Sequence, residues 1–223
     1  MQPIALQIID ECKKAYGELT ERVVEVPFLF KHIRKVKTLD VGSLESSLAF
    51  YLHREGYDVT AVDIRQPHTT VKLPPQFYVC DVRKMPFPDE MFEQVICIST
   101  LEHIGLRAYG LENLQNYLFD ANGDFRALEE MRRVTRVSGN MIITVPYGKV
   151  AGEGFYWQRV YTKERIQKLL ELECMAYTNL DTEFFMLHEP TKEWIDVTED
   201  RASKTVSSGI VKAICCLSIE GVF

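Results

Sequence analysis

Between Thr38 and Asp63 the chain reads as strand, glycine turn, helix and second strand, and that second strand closes on a carboxylate. The run Thr38-Leu39-Asp40-Val41 breaks at Gly42-Ser43, and Val59-Thr60-Ala61-Val62 ends on Asp63. In a doubly wound α/β sheet, an acid about 20 residues beyond the turn glycine lies where the ribose of a bound nucleoside would sit. Here the separation is 63 − 42 = 21 residues.

The glycines that are missing narrow the ligand. A pyrophosphate site needs two further glycines, one for backbone approach to phosphate and one for close helix–strand packing. Leu44 and Ser47 stand at those positions. A phosphate-free nucleoside such as S-adenosylmethionine needs only a bend, an acid for its ribose and polar groups for its two ends. The turn fits that ligand better than a dinucleotide. A domain whose turn binds nothing is the alternative.

The rest of the pattern alternates. A periodic helix over 3–17 and a short irregular segment from about residue 21 precede the first strand at 36–41. A helix at 45–55, stopped by Gly56, leads to strands at 58–63 and 76–79. The proline-bearing loop 85–90 feeds an apolar fourth strand at 94–98. A helix over 124–136, a strand at 141–145, a helix opened by Thr162 and strands near 176–186 and 210–219 complete the series. Strands alternating with helices imply a mostly parallel sheet of seven strands in one domain spanning 1–223. Residues 1–35 read as an N-terminal helical extension, and 105–123 and 188–208 as insert loops near the acceptor site.

A net charge of −6 and the lack of a dense basic block argue against a nucleic-acid partner. No apolar run is long enough to span a bilayer, and the N-terminus lacks the pattern of a secretory signal, so the expected location is cytoplasmic. Six cysteines without a Cys-x-x-Cys pair are expected to be reduced core residues.

Five segments in order resemble the class I S-adenosylmethionine-dependent methyltransferases, over about residues 21–186. They are Leu39-Asp40-Val41-Gly42-Ser43, Val59 to Asp63, Cys80-Asp81-Val82 with Met85-Pro86-Phe87-Pro88, Ile98 to Ile104, and Arg133 to Asn140. The first segment and the Glu21-Arg22 lead-in look more like the branch associated with polysaccharide and secondary-metabolite genes. The resemblance implies an α/β Rossmann-like fold with helices on both faces and an antiparallel last strand. It also implies S-adenosyl-L-methionine as cofactor. By position, Gly42 would pass the methionine end, with Ser43 beside it in the cofactor-binding turn, Asp40 would brace the turn and Asp63 would take the ribose hydroxyls. Asp81 would meet the adenine amino group, Ile64 and Val82 the ring faces, and Ser99 the end of strand four.

Methyl transfer from a sulfonium needs alignment and water exclusion more than acid–base help, and it requires no metal. A hydroxyl acceptor does need a base. His103, beside Glu102 past strand four, is the candidate; packing or capping the turn is its other reading. His188 is a weaker candidate. Tyr109, Tyr147, Tyr156, Trp157, Tyr161 and Trp194 flank loops at the sheet's carboxyl edge, as pocket walls or as simple packing. Segment 105–123 reads as a lid or as an oligomer contact, the latter allowing a homodimer. The expected acceptor is a small molecule, a hydroxyl of a sugar or secondary metabolite. RNA or protein methylation and a non-catalytic binding or scaffold subunit are the competing functions.

Overall fold

The computed structural model describes residues 2–44, 46–68, 72–107, 119–150 and 157–223. Five strands run parallel: β1 (Thr38–Val41), β2 (Val59–Asp63), β3 (Gln76–Val79), β4 (Phe92–Ile98) and β5 (Thr135–Pro146), in the spatial order 3-2-1-4-5. Every residue of β1 and β2 is buried, as expected of parallel strands covered on both faces. Beyond β5, a pair of residues forms β6 (Lys149–Val150), and the chain returns through β7 (Asn179–His188), β8 (Glu193–Val197), β9 (Val206–Ser207) and β10 (Ala213–Val222). Strand β10 lies antiparallel between β5 and β7, β8 adds an antiparallel edge, and β6 pairs with β9 apart from the main sheet.

Three helices cover one face: α1 (Pro3–Tyr16), α2 (Arg22–His32) and α3 (Leu48–Arg54). Ile8, Leu29 and Tyr51 from these helices join Ala61, Ile96 and Ile142 of the sheet in one apolar cluster. The opposite face carries α4 (Gly123–Val134) and α5 (Lys163–Leu170), whose Leu128, Met131, Ile166 and Leu169 join Leu39, Val95 and Ile143. A sixth short helix, α6 (Glu199–Lys204), precedes β9. The mostly parallel Rossmann-like sheet, the helices on both faces and the antiparallel last strand are as expected.

Four expectations need correction. The main sheet has eight strands, not seven, because Glu193-Trp194-Ile195-Asp196-Val197 pairs with β7 inside the segment read as an insert loop. As an edge strand it is only half-buried, and its charges hide the alternation. The segment read as irregular from residue 21 is α2, despite Pro27 inside it. Proline removes one helical donor, so this helix depends on its buried face of Glu25, Val26, Phe28 and Leu29. The helix expected at 45–55 covers Leu48–Arg54, and residue 45 lies outside the described residues. Lastly, α4 ends at Val134 and β5 starts at once, so Gly139 sits within the strand rather than before it. A Cβ there would press on the carbonyls of Arg136 and Glu93, a close approach that only glycine permits.

The two apolar clusters make the sheet the shared wall of the core. We expect Ile96→Ala, at a fully buried position of β4, to cost about 2–5 kcal/mol in denaturant titration.

Candidate active site

The strand order reverses between β1 and β4, and in open α/β sheets ligands collect outside the carboxyl ends of the strands at that crevice. A cleft opens there, lined by Gly42, Asp63, Ile64, Asp81, Val82 and Ser99 among others. Six of the eight residues expected around the cofactor are thus brought together. The other two, Asp40 and Ser43, are buried beneath the turn.

The turn explains why one glycine suffices. Gly42 has φ +77°, and a Cβ on it would overlap the Thr100 side chain. The N–H groups of Gly42 and Ser43 both donate to the Val62 carbonyl, at 2.8 and 3.2 Å, and Leu44 N–H donates to Asp63 Oδ2 at 3.3 Å. The turn's amides therefore tie β1 to β2 instead of pointing at a phosphate.

Asp63 Oδ1 also accepts from Arg65 Nε at 3.1 Å, and Asp81 is held by Arg83 at 2.5 Å. Each acid lines the cleft and is gripped by the arginine two residues further along its own segment. Asp40 is fully enclosed, and its Oδ2 has no hydrogen-bond partner among the described residues. Burial, reinforced by the Asp63 charge, pushes its carboxyl up to about 7. Burial likewise raises the Cys80 thiol in the cleft to about 11.

A second, larger chamber adjoins the cleft and shares Arg22, Ser99 and His103 with it. Its walls are the α1–α2 connection from Tyr16 to Arg22, Glu102, Pro146 at the end of β5, Trp157, Gln158 and the residues just before β10. Arg22 ion-pairs with buried Glu25. Glu25 Oε1 in turn accepts from Ser99 Oγ and Thr144 Oγ1, each at 2.6 Å.

His103 sits at the junction. Its Nδ1 is 2.7 Å from the Trp157 carbonyl, which can only accept, so Nδ1 carries the proton and Nε2 of the neutral ring presents a lone pair. The ring stacks on Trp157 with centroids 5.9 Å apart, and Nε2 lies 3.8 Å from Glu102 Oε1. Burial, with Glu25 nearby, pushes the Glu102 carboxyl well above the usual range.

Other candidates lie elsewhere. His188 ends β7, bonds Thr191 at 3.0 Å and lines neither cavity. Tyr147 and Tyr161 are core residues bonded to Glu199 and Asp124, and Trp194 donates to the Leu19 carbonyl from the edge strand. Tyr109, Tyr156 and most of segment 105–123 lie outside the described residues. Arg22, Thr100, Glu102 and Gln158 were missed as site residues. For Arg22 the signal was an Arg–Glu pair three residues apart in an otherwise apolar stretch. His32 and the acids Asp181 and Glu183 meet on the surface, a grouping invisible in sequence, and Lys31 Nζ ion-pairs with both acids.

Residues 39–143 match the family model described as a methyltransferase domain. These residues form a methyltransferase domain, on a sheet of the class I methyltransferase fold. No curated protein matches it. Among solved structures, it is similar to an S-adenosylmethionine-dependent methyltransferase of Archaeoglobus fulgidus (TM-score 0.60, 15% identity, 93% of this chain and 97% of that one). It is also similar to one from Thermotoga maritima (0.59, 11%, 96% and 99%). A third is the 1,6-didemethyltoxoflavin-N1-methyltransferase of Burkholderia thailandensis, solved with S-adenosylhomocysteine (0.52, 12%, 99% and 79%). At these identities the likeness is one of fold.

The buried Asp40 gives this methyltransferase a checkable pH signature. Its carboxyl is ordinary in the unfolded chain and raised in the folded one, so the folded state binds the extra proton. Its contribution to stability is present below pH 4 and lost as pH rises through about 7. Asp40→Asn should therefore gain stability relative to the parent as pH rises from 4 to 8.5, reaching on the order of 4 kcal/mol in denaturant titrations.

Proposed function

We propose that this enzyme transfers a methyl group from S-adenosylmethionine to a small-molecule acceptor seated in the chamber, at a hydroxyl of a sugar or secondary metabolite. The observation that carries the reading is the shared wall. One cavity holds the residues expected around the donor, the other is open for an acceptor, and Ser99 and His103 belong to both.

In this reading Asp63 takes the ribose hydroxyls, Asp81 the adenine amino group, and Ile64 and Val82 the ring faces. Gly42 leaves room at the methionine end, while Ser43 and Asp40 support the turn from below. When bound, the cofactor supplies a methyl group on a positively charged sulfur that leaves as a neutral thioether. The chain's own work is to orient the acceptor, exclude water and take the hydroxyl proton, a task assigned to His103 Nε2. The acidic chamber, with Glu18, Glu21 and Glu102 in its walls, favours a small molecule over a phosphate backbone. Work in the cytoplasm is part of the same proposal.

Two variants separate donor binding from chemistry. Asp63→Ala should weaken S-adenosylhomocysteine binding by about 1.5–3 kcal/mol in calorimetry, as loss of hydrogen bonds to a charged group predicts. His103→Asn should keep that affinity and lose roughly 10²–10⁴ in turnover with a labelled methyl donor. Tight donor binding with no transfer to any hydroxyl or amine across a broad acceptor panel would refute the reading.

A further inference from the structure

The turn that carries His103 is fastened from behind by one arginine. Residues 157–159 run beside the short helical turn Leu101–His103. The Arg159 N–H donates to the Glu102 carbonyl at 2.9 Å, and the Trp157 carbonyl accepts from His103 Nδ1 at 2.7 Å. The Arg159 side chain adds to that pairing. Its Nη1 donates to the Ile104 carbonyl at 2.6 Å and the Glu102 carbonyl at 3.3 Å, one on each side of His103. Its Nη2 donates to the carbonyls of Asp120 and Ala121, at 3.2 and 3.0 Å, just before α4. Carbonyls at the end of a helical turn lack donors of their own. Here those of two segments converge on one planar fork, a geometry that a guanidinium offers and an ammonium does not.

The surroundings hold the fork in place. The Arg159 side chain is only 9% exposed, and its Nε stands 3.7 Å from the enclosed Asp124 carboxylate. Asp124 also holds Arg165 at 2.7 Å and Tyr161 at 3.1 Å. Gly105, at φ +85°, and Gly123 meet so closely that a Cβ on either would strike backbone. The Asp120 N–H donates to the Gly105 carbonyl at 2.8 Å. The His103 turn, the start of α4 and residues 157–159 are thereby tied together. A buried ion pair is weak evidence of stability; the contacts of this one fall on the backbone that frames the turn.

We propose that Arg159 is the positioning residue of His103. It sets the register of residues 157–159 against 102–104, so that the Trp157 carbonyl claims the proton on Nδ1 and the lone pair is left on Nε2. This deepens the reading of His103 as the base and rests on it. Without the fork the Trp157 carbonyl drifts from Nδ1, and the proton redistributes to Nε2. The ring would then stand in place with its lone pair turned toward Trp157, unable to take a proton from an acceptor in the chamber.

The test uses the full chain carrying isotope-labelled histidine and saturated with S-adenosylhomocysteine, above neutral pH. NMR of the ring nitrogens reads the tautomer of each of the five histidines, and His103→Asn identifies the His103 signal. The parent ring should be protonated on Nδ1. Arg159→Lys keeps a cation for Asp124 and loses the fork. It should move the tautomer ratio about tenfold or more toward Nε2, as loss of a hydrogen bond implies, with S-adenosylhomocysteine still bound. Arg159→Gln, in which Arg165 still answers Asp124, should move it the same way and serves if the lysine variant folds poorly. A parent ring protonated on Nε2 would overturn the proposal with no variant needed. So would an unchanged tautomer in either variant. Methyl transfer that survives His103→Asn would sink only the reading of His103 as base, because tautomer and register are read without an acceptor.

Discussion

The buried pair of Arg22 and Glu25 joins the parts that make the site. Glu25 is fully buried, and one of its oxygens takes hydroxyl bonds from Ser99 at the end of β4 and Thr144 near the end of β5. A single carboxylate therefore fastens α2, which precedes the sheet in sequence, to the carboxyl edges of two central strands. Arg22 neutralises that carboxylate and forms part of the partition between cleft and chamber. A buried ion pair is poor evidence of net stability, but removing one partner leaves an uncompensated charge, typically at a cost of about 3–5 kcal/mol. The pair is better understood as fixing position: apolar packing holds α2 on the sheet, and the ion pair sets Arg22 in the wall between cleft and chamber.

Around that pin, two turns interlock. Ser99 adopts φ +43°, an uncommon conformation for a residue with a side chain. It is held there by its N–H on Thr144 Oγ1 at 3.0 Å and its hydroxyl on Glu25. The next residue, Thr100, fills the space above Gly42. The β1 turn and the β4 turn are thus mutually dependent, which explains why glycine stands at 42 while bulkier residues occupy 44 and 47. Strain of this kind persists where surrounding contacts over-determine the backbone, commonly at functional sites.

The parallel half of the sheet was legible because its signals are local. Strands β1, β2 and β4 are apolar runs, Gly42 and Gly56 mark left-handed positions, Asp63 ends β2 and Asp81 follows β3 by two residues. Helix α2 was obscured because Pro27 and the β-branched Val23, Val24 and Val26 contradict its local propensity, and tertiary burial overrides them. Strand β8 was obscured because an edge strand exposes charge. The chamber could not be read at all. Its walls come from residues near 20, 102, 157 and 210, and only the sheet's return through β10 brings them together. Sequence reasoning found His103 by its distance from strand four, but its tautomer depends on the carbonyl of Trp157, 54 residues away.

Electrostatics link the two cavities into one device. The donor cleft contains Asp63 and Asp81, ion-paired with Arg65 and Arg83, and Arg22 stands in the wall it shares with the chamber. On the proposed reading, methyl transfer to a hydroxyl removes the positive charge from sulfur, and the released proton moves it to the imidazole of His103. Glu102 lies 3.8 Å from the nitrogen that would receive it. Preorganised groups facing the place where charge appears are the most effective form of such stabilisation, because they need not reorganise during the reaction. The same argument accounts for keeping an expensive buried acid at position 102 rather than a neutral side chain of similar size.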